Sequence, residues 1–128
     1  MTNLILLFCV RYKQPLHNLK VIDLSFSLSF IKFEDFTVVP YLEALILEGC
    51  IELLEIHPSI KHLKRLILLN LDFCTSLEKL PEEINGMTSL QTLKLSGCFK
   101  LKKLPDNLEQ LKNLTNLDKV GSGITQLP

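Results

Sequence analysis

Two consecutive stretches of this chain decide its fold, because they repeat one another at a constant length. Residues 66–89 read LILLNLDFCTSLEKLPEEINGMTS, and residues 90–113 read LQTLKLSGCFKLKKLPDNLEQLKN. Leucine, cysteine and proline recur between the two stretches at a step of 24 residues. A fixed period of this length indicates a repeat architecture, in which each repeat stacks on its neighbours.

The same pattern extends beyond these two stretches in both directions. Residues 42–65 read LEALILEGCIELLEIHPSIKHLKR in the same register, and residues 114–128 begin a further copy. Residues 19–41 form an earlier, degenerate copy that is one residue shorter. We therefore number five repeat units, which start at Leu19, Leu42, Leu66, Leu90 and Leu114. Residues 1–18 are interpreted as a degenerate N-terminal segment or a partial first repeat, and residues 19–128 as one repeat domain.

Each unit combines two hydrophobic periods. Its centre reads L-x-L, as at Leu69 and Leu71, and this alternation predicts a short β-strand whose leucines face the core. After the cysteine the apolar spacing becomes three, and Pro81 and Pro105 exclude a long helix, so an irregular or 3₁₀-like return is expected. Stacked units would share one parallel sheet and a continuous core. The predicted fold class is α/β, a solenoid of about five coils with the sheet on its concave face.

The composition is that of an ordinary globular domain without net charge. Hydrophobic residues make up 47% and charged residues 22% of the chain, and 29 of its 128 residues are leucine. The formal net charge is +0, so the chain lacks the positive field that attracts nucleic acid or an anionic membrane surface. The longest apolar run, residues 4–10, is too short to span a membrane. It has no preceding Lys or Arg and no small-residue cleavage site, so it is interpreted as a buried strand rather than a signal peptide.

The repeats resemble a known family. Three segments carry the resemblance: PLHNLKVIDLS at residues 15–25, VPYLEALILEGCIELLEIHPSI at residues 39–60 and TSLQTLKLSGCFKLKKLPDNL at residues 88–108. They are similar to the leucine-rich repeat, and more narrowly to the cysteine-type repeats of plant intracellular disease-resistance receptors. Those receptors carry a TIR domain, a nucleotide-binding domain and a repeat domain. The resemblance implies a right-handed, horseshoe-shaped solenoid, although unit 5 departs from the pattern at Lys119 and Ser122.

Three of the four cysteines, Cys50, Cys74 and Cys98, occupy one column of the repeat and are interpreted as structural thiols. Strand spacing would stack them about 5 Å apart, which leaves a disulfide or a metal site as alternatives. Both are disfavoured, because the side chains would lie side by side and a straight ladder does not supply four tetrahedral ligands. The fourth cysteine, Cys9, lies outside the column, and the lack of a dense cysteine framework favours a reducing compartment.

The concave face is the predicted binding site for a protein partner. The candidate contact residues point outward from three consecutive strands: Ile46, Glu48, Leu68, Asn70, Asp72 and Lys94. Ile46 and Leu68 would form an apolar centre rimmed by acidic groups, which is how a binding hot spot is built. The acidic bias predicts a positively charged partner surface, and Asp72→Lys is expected mainly to slow association. A lysine cluster lies on a different flank and is interpreted as solvated: Lys100, Lys102 and Lys103.

The resemblance implies protein recognition in plant immunity, in the cytoplasm or the nucleus. The expected partner is a pathogen effector, a guarded host protein or the receptor's own nucleotide-binding domain, and neither nucleic acid nor membrane. The sequence shows no catalytic, cofactor-binding or metal-binding constellation, so an enzyme is disfavoured and no cofactor is expected. Two further alternatives are the ectodomain of a cell-surface repeat receptor and a non-functional, truncated receptor product. The ectodomain is disfavoured, because its repeats carry N-x-L-x-G-x-I-P where this chain has C-x-x-L-x-x-L-P.

The end of the chain predicts limited stability. The sequence stops within unit 5, at Leu127 and Pro128, whereas solenoids need polar caps on their terminal repeats. The leucines of the Leu90 and Leu114 units are therefore expected to be exposed at this end. We expect the isolated chain to be only marginally stable.

Overall fold

The computed structural model describes residues 14–27 and 35–125. Five strands lie within these ranges: β1 Val21–Asp23, β2 Ala44–Ile46, β3 Leu68–Asn70, β4 Thr92–Lys94 and β5 Asn116–Asp118. They form one parallel sheet in the order β1-β2-β3-β4-β5, so each strand pairs with the next strand along the chain. The predicted parallel sheet is confirmed, and the architecture is an open, solenoid-like α/β fold.

The register of the sheet follows the period of the sequence. Leu69, at the centre of β3, pairs with Leu45 on β2 and with Leu93 on β4. The step between paired residues is 24 in both cases, whereas Ile22 on β1 pairs with Leu45 across the shorter first unit. A slip of one residue would turn every central leucine from the core to the open face, so the hydrophobic pattern specifies the register.

The return segments contain the 3₁₀ turns that the apolar spacing of three predicts. These turns are Phe36–Val38, Pro58–His62, Glu82–Gly86 and Leu108–Gln110. In the third of them, Pro81 precedes the turn and Met87 closes it, with its N–H donating to the carbonyl of Ile84 at 3.0 Å. Ile84 is fully buried, as is Ile60 at the equivalent position of the preceding turn. Each turn therefore returns the chain while placing an apolar side chain in the core.

The core lies between the sheet and these turns. The central residues of the first four strands, Ile22, Leu45, Leu69 and Leu93, are at most 2% exposed. Complete burial of one such side chain contributes about 1.5–3 kcal/mol. These residues come from different units, so the core is shared along the sheet and no unit buries its leucines alone.

The exposure of the last two units corrects one expectation from the sequence. Leu90, Leu93 and Leu95 are fully buried, because β5 pairs with β4 and unit 5 covers them. Of these two units, unit 5 is the one whose first two leucines are accessible to solvent: Leu114 is half-buried and Leu117 is 36% exposed. Unit 5 forms β5 although it lacks the cysteine and the second strand leucine of the pattern.

Some predictions fall on residues outside the described ranges. These are the strand at residues 4–10, Cys9, most of the segment at residues 1–18, and the terminal Leu127 and Pro128. The domain boundary between residues 18 and 19 stays a prediction.

The third residue after each strand adopts a left-handed backbone conformation. These residues are Phe26, Gly49, Phe73, Gly97 and Gly121, with φ values of 59°, 70°, 59°, 73° and 74°. Glycine adopts this conformation easily, but it is a genuine outlier for a bulky residue such as phenylalanine. Each phenylalanine ring covers the glycine of the next unit: a Cβ atom on Gly97 would lie 2.5 Å from a ring carbon of Phe73. With the phenylalanine ring in this position, only a glycine fits at the same place in the next unit.

Candidate binding surface

The open face of the sheet carries three columns of outward side chains, with one residue from each unit in every column. The first column is Val21, Ala44, Leu68, Thr92 and Asn116, and the second is Asp23, Ile46, Asn70, Lys94 and Asp118. The third column is Ser25, Glu48, Asp72, Ser96 and Val120. Because every strand is only three residues long, the third column lies in the turns that follow the strands. The predicted partner-binding residues come from all three columns.

Asn70 and Asp72 belong to a polar network on this face. Asn70 Oδ1 accepts a hydrogen bond from the N–H of Asp72 at 2.9 Å, and Asp72 Oδ1 accepts one from the N–H of Ser96 at 2.8 Å. The second carboxylate oxygen of Asp72 lies 3.2 Å from Lys94 Nζ. The sequence placed both residues outward as partner contacts, but they are only 9% and 5% exposed. The contacts of Asp72 with Ser96 and Lys94 join units 3 and 4, and a role of Asn70 and Asp72 in partner binding stays a prediction.

Two aspartates of the second column accept hydrogen bonds from the turns near the two ends of the sheet. Asp23 Oδ1 accepts hydrogen bonds from the hydroxyl of Ser25 at 2.6 Å and from its N–H at 3.0 Å, which lowers the pKa of the Asp23 carboxyl. Hydrogen bonds from the Ser96 hydroxyl and then from the Val120 N–H likewise lower the pKa of Asp118. Both carboxylates are exposed and ionised at neutral pH, so both ends of the open face are acidic.

Ile46 and Leu68, the predicted apolar centre, are both half-buried. Leu68 pairs with Thr92 in the sheet and lies diagonal to Ile46 rather than directly opposite it. Glu48 is also half-buried, and the side chain of Lys94 is 36% exposed. The centre of the open face therefore offers a partner an apolar diagonal, one acidic side chain and one basic side chain.

The cysteine column is a ladder of buried, unpaired thiols. Cys50, Cys74 and Cys98 are free and buried. Each Sγ donates to a carbonyl oxygen of the preceding unit, and the acceptors are Leu24 at 3.2 Å, Leu47 at 3.1 Å and Leu71 at 2.9 Å. Burial raises the pKa of all three thiols, that of Cys74 to about 12. Because only the thiolate is a good nucleophile and metal ligand, these groups are suited to linking units rather than to chemistry.

The thiol ladder predicts a loss of stability in alkali. An unfolded thiol ionises near its ordinary pKa of 9.0, whereas folded Cys74 stays protonated to about 12. Between these values the unfolded state binds fewer protons than the folded state, so the free energy of unfolding falls as the pH rises above 9.0. Urea titrations at increasing pH measure this slope, and Cys74→Ala should reduce it. An unchanged slope in Cys74→Ala, or rapid alkylation of the native thiols, would contradict the prediction.

A second surface, which the sequence did not indicate, lies at the edge of the sheet where the strands begin. A groove of about 420 Å³ is lined by Glu43, Arg65, Ile67, Ser89, Gln91 and Asn113. The guanidinium carbon of Arg65 lies 4.2 Å from the centroid of the Tyr41 ring, and Glu43 lies 3.7 Å from Lys20 Nζ. The lining residues occupy two equivalent positions of each unit but share no residue type. No motif in the sequence marks this groove.

Within residues 14–27 and 35–125, no three His, Cys, Asp or Glu side chains are grouped so that they could hold a metal ion. The described part of the chain also contains no helix that is long and apolar enough to cross a membrane.

Known proteins are related to this chain over part of its length. A stretch of 52 residues, 41% of the chain, is 44% identical to disease resistance protein RPV1 of Vitis rotundifolia. Disease resistance protein RUN1 of the same species matches with the same identity over the same length. The chain is a partial homologue of plant disease-resistance proteins. It spans about 4% of the length of each of these relatives, and no family model matches it.

Proposed function

We propose that this chain is leucine-rich-repeat sequence of a plant immune receptor and that it binds a protein partner on the open face of its sheet. The proposal includes the finer features of such a domain: about five right-handed coils in a horseshoe with a concave open face. The partner is a pathogen effector, a guarded host protein or the receptor's own nucleotide-binding domain. The setting is the cytoplasm or the nucleus.

The observation that carries this proposal is the composition of the open face. The parallel sheet packs one side against the core and presents three columns of side chains on the other. Its centre combines the half-buried Ile46 and Leu68 with Glu48 and Lys94 nearby. An apolar centre within a polar ring is the usual arrangement of a protein-binding hot spot. The partial homology to disease-resistance proteins supports the biological setting.

The proposal includes no catalytic step and no cofactor. The most buried carboxylate of the open face belongs to Asp72, and it is occupied by the Ser96 N–H and by Lys94. A general base needs a carboxylate that is free to take a proton from a substrate. Asp23 and Asp118 have lowered pKa values and accept hydrogen bonds from their own turns. These three carboxylates are therefore suited to holding the sheet and its turns together rather than to acting as a general base.

Leu68→Ala tests the proposed binding surface. We expect it to weaken partner binding by about 1–3 kcal/mol, because it truncates one of the two side chains of the apolar centre. Binding is measured by co-precipitation from plant cells that express the tagged chain with a panel of pathogen effectors and plant nucleotide-binding domains. Each partner that is retained is then titrated against the purified variants.

Lys112→Ala is the control, because Lys112 is exposed and lies near the 3₁₀ turns rather than on the open face. It should leave binding unchanged. If Lys112→Ala weakened binding as much as Leu68→Ala did, or if Leu68→Ala bound normally while folded, the open face would not be the binding surface.

A further inference from the structure

A third surface, distinct from the open face and from the groove at the edge of the sheet, is formed by the segments that follow the cysteine in units 2, 3 and 4. These segments are residues 51–55, 75–79 and 99–103, and with Phe73 we call them the turn flank. Neighbouring segments lie side by side: the N–H of Glu78 donates to the carbonyl of Leu54 at 3.1 Å, and Lys79 Nζ lies 3.9 Å from Glu55 Oε2. The third segment follows β4, which pairs with β3 in the same 24-residue register.

The charge of the turn flank reverses from one end to the other. Residues 51–55 carry two glutamates and no cation, for a net charge of −2. Residues 75–79 carry one glutamate and one lysine, for a net charge of 0, and residues 99–103 carry three lysines, for a net charge of +3. All seven charged side chains are exposed. Unit 3 is therefore the neutral midpoint between an acidic unit and a basic unit.

Large apolar side chains lie between these charges. Ile51 is 46%, Leu54 is 58%, Phe73 is 52% and Phe99 is 54% exposed. Phe73 is also held in the left-handed conformation, which is strained for a bulky residue of this kind. Gly97 and Gly121 occupy the same position in the next two units without that cost. An exposed ring kept at a strained position, in the neutral middle of a charged stripe, indicates a contact surface.

We propose that the turn flank pairs with the turn flank of a second copy of this chain, in an antiparallel dimer whose two-fold axis passes close to Phe73. A two-fold interface uses the same patch on both copies, so the patch must be complementary to itself. Antiparallel pairing places the acidic unit 2 of each copy against the basic unit 4 of the other. Parallel pairing would place like charges together, which is unfavourable. The charge reversal about unit 3 therefore specifies both the partner and its direction, and the open face stays free.

The experiment measures the mass of the full chain by analytical ultracentrifugation at concentrations up to roughly 1 mM, where even weak association is visible. The unmodified chain should form dimers and nothing larger, with an affinity that falls as salt rises. Phe73→Gly should weaken dimerisation about tenfold or more, because it removes the central ring. Its fold should be retained, since glycine suits a φ of 59°.

Two charge-reversal variants give the sharper test. Glu52→Lys with Glu55→Lys makes both outer segments of the flank basic. The triple reversal Lys100→Glu with Lys102→Glu and Lys103→Glu makes both outer segments acidic, and the neutral middle segment is unchanged in each variant. Each variant alone should be monomeric, because like charges then face one another. An equal mixture of the two should form dimers of one basic and one acidic chain.

Glu109→Lys with Lys112→Glu, which reverses two exposed charges away from the flank, should dimerise like the unmodified chain. Several outcomes would overturn the proposal: a monomeric unmodified chain at every concentration, dimers in either charge variant alone, no dimers in their mixture, or a folded Phe73→Gly that dimerises normally. These readouts do not depend on the partner of the open face.

Discussion

Leu93→Ala is expected to lower the free energy of unfolding by about 2–5 kcal/mol. Leu93 is fully buried at the centre of β4, between Leu69 on β3 and Leu117 on β5. Truncation removes contacts with both neighbouring units and leaves a cavity that the stacked sheet cannot close. Small domains have a total stability of about 5–15 kcal/mol, so this single change removes a large share of it. Urea denaturation followed by circular dichroism measures the difference.

Leu117→Ala is the matched control, because Leu117 occupies the same position of the repeat but is 36% exposed. The same three carbon atoms are removed, yet little cavity forms, and we expect a loss below about 1.5 kcal/mol. Equal losses of unfolding free energy from Leu93→Ala and Leu117→Ala would contradict the prediction, because they would show that burial of the central leucine does not determine its contribution to stability.

Asp72→Lys is expected to destabilise the fold by about 3 kcal/mol. The carboxylate of Asp72 accepts the N–H of Ser96 and pairs with Lys94, and the residue is 5% exposed. The substitution breaks both contacts and places a second cation beside Lys94 with little access to water. The burial and pairing of Asp72 thus add an expected loss of stability to the slower association that the sequence predicts for this reversal. Thermal and urea unfolding of the free chain measure the loss.

Glu48→Lys is the control for this change. Glu48 occupies the same column in the preceding unit, but it is half-buried and its side chain joins no ion pair among the described residues. Its reversal should therefore change stability by less than about 1 kcal/mol while altering the charge of the open face to the same extent. A stability loss in Glu48→Lys as large as that in Asp72→Lys would mean that charge, rather than burial and pairing, causes the effect.

The sequence predicted the sheet because its register depends only on hydrophobic spacing. Leu45, Leu69 and Leu93 recur every 24 residues, and a parallel sheet that buries them has one acceptable register. The 3₁₀ returns were predictable for a similar reason. An apolar spacing of three fits a 3₁₀ turn, and Pro81 at the start of the turn excludes a long helix through this segment.

The centre of the candidate site was less predictable. Asn70 and Asp72 stand at outward positions, where polar residues are normally exposed. Asp72 is held by Ser96 and Lys94, which the sheet brings against it from the next unit, and Asn70 accepts a hydrogen bond from Asp72 in turn. A pattern read within one unit contains no information on such contacts between units. The conformation of Phe73 was missed because phenylalanine rarely has a positive φ, although Gly97 and Gly121 at the equivalent position were an available signal.

The alternation of phenylalanine and glycine in the left-handed column restricts how an array of these repeats can change its length. Repeat arrays grow and shrink when recombination inserts or removes whole units. A copy of unit 3 inserted directly after itself would place a phenylalanine Cβ where the Phe73 ring lies against Gly97, at a separation of about 2.5 Å that atoms do not tolerate. Insertion of units 3 and 4 together preserves the alternation. A phenylalanine-bearing unit can therefore be duplicated only together with a glycine-bearing unit that follows it, whereas unit 4 can be copied alone, since Gly97 is already followed by Gly121.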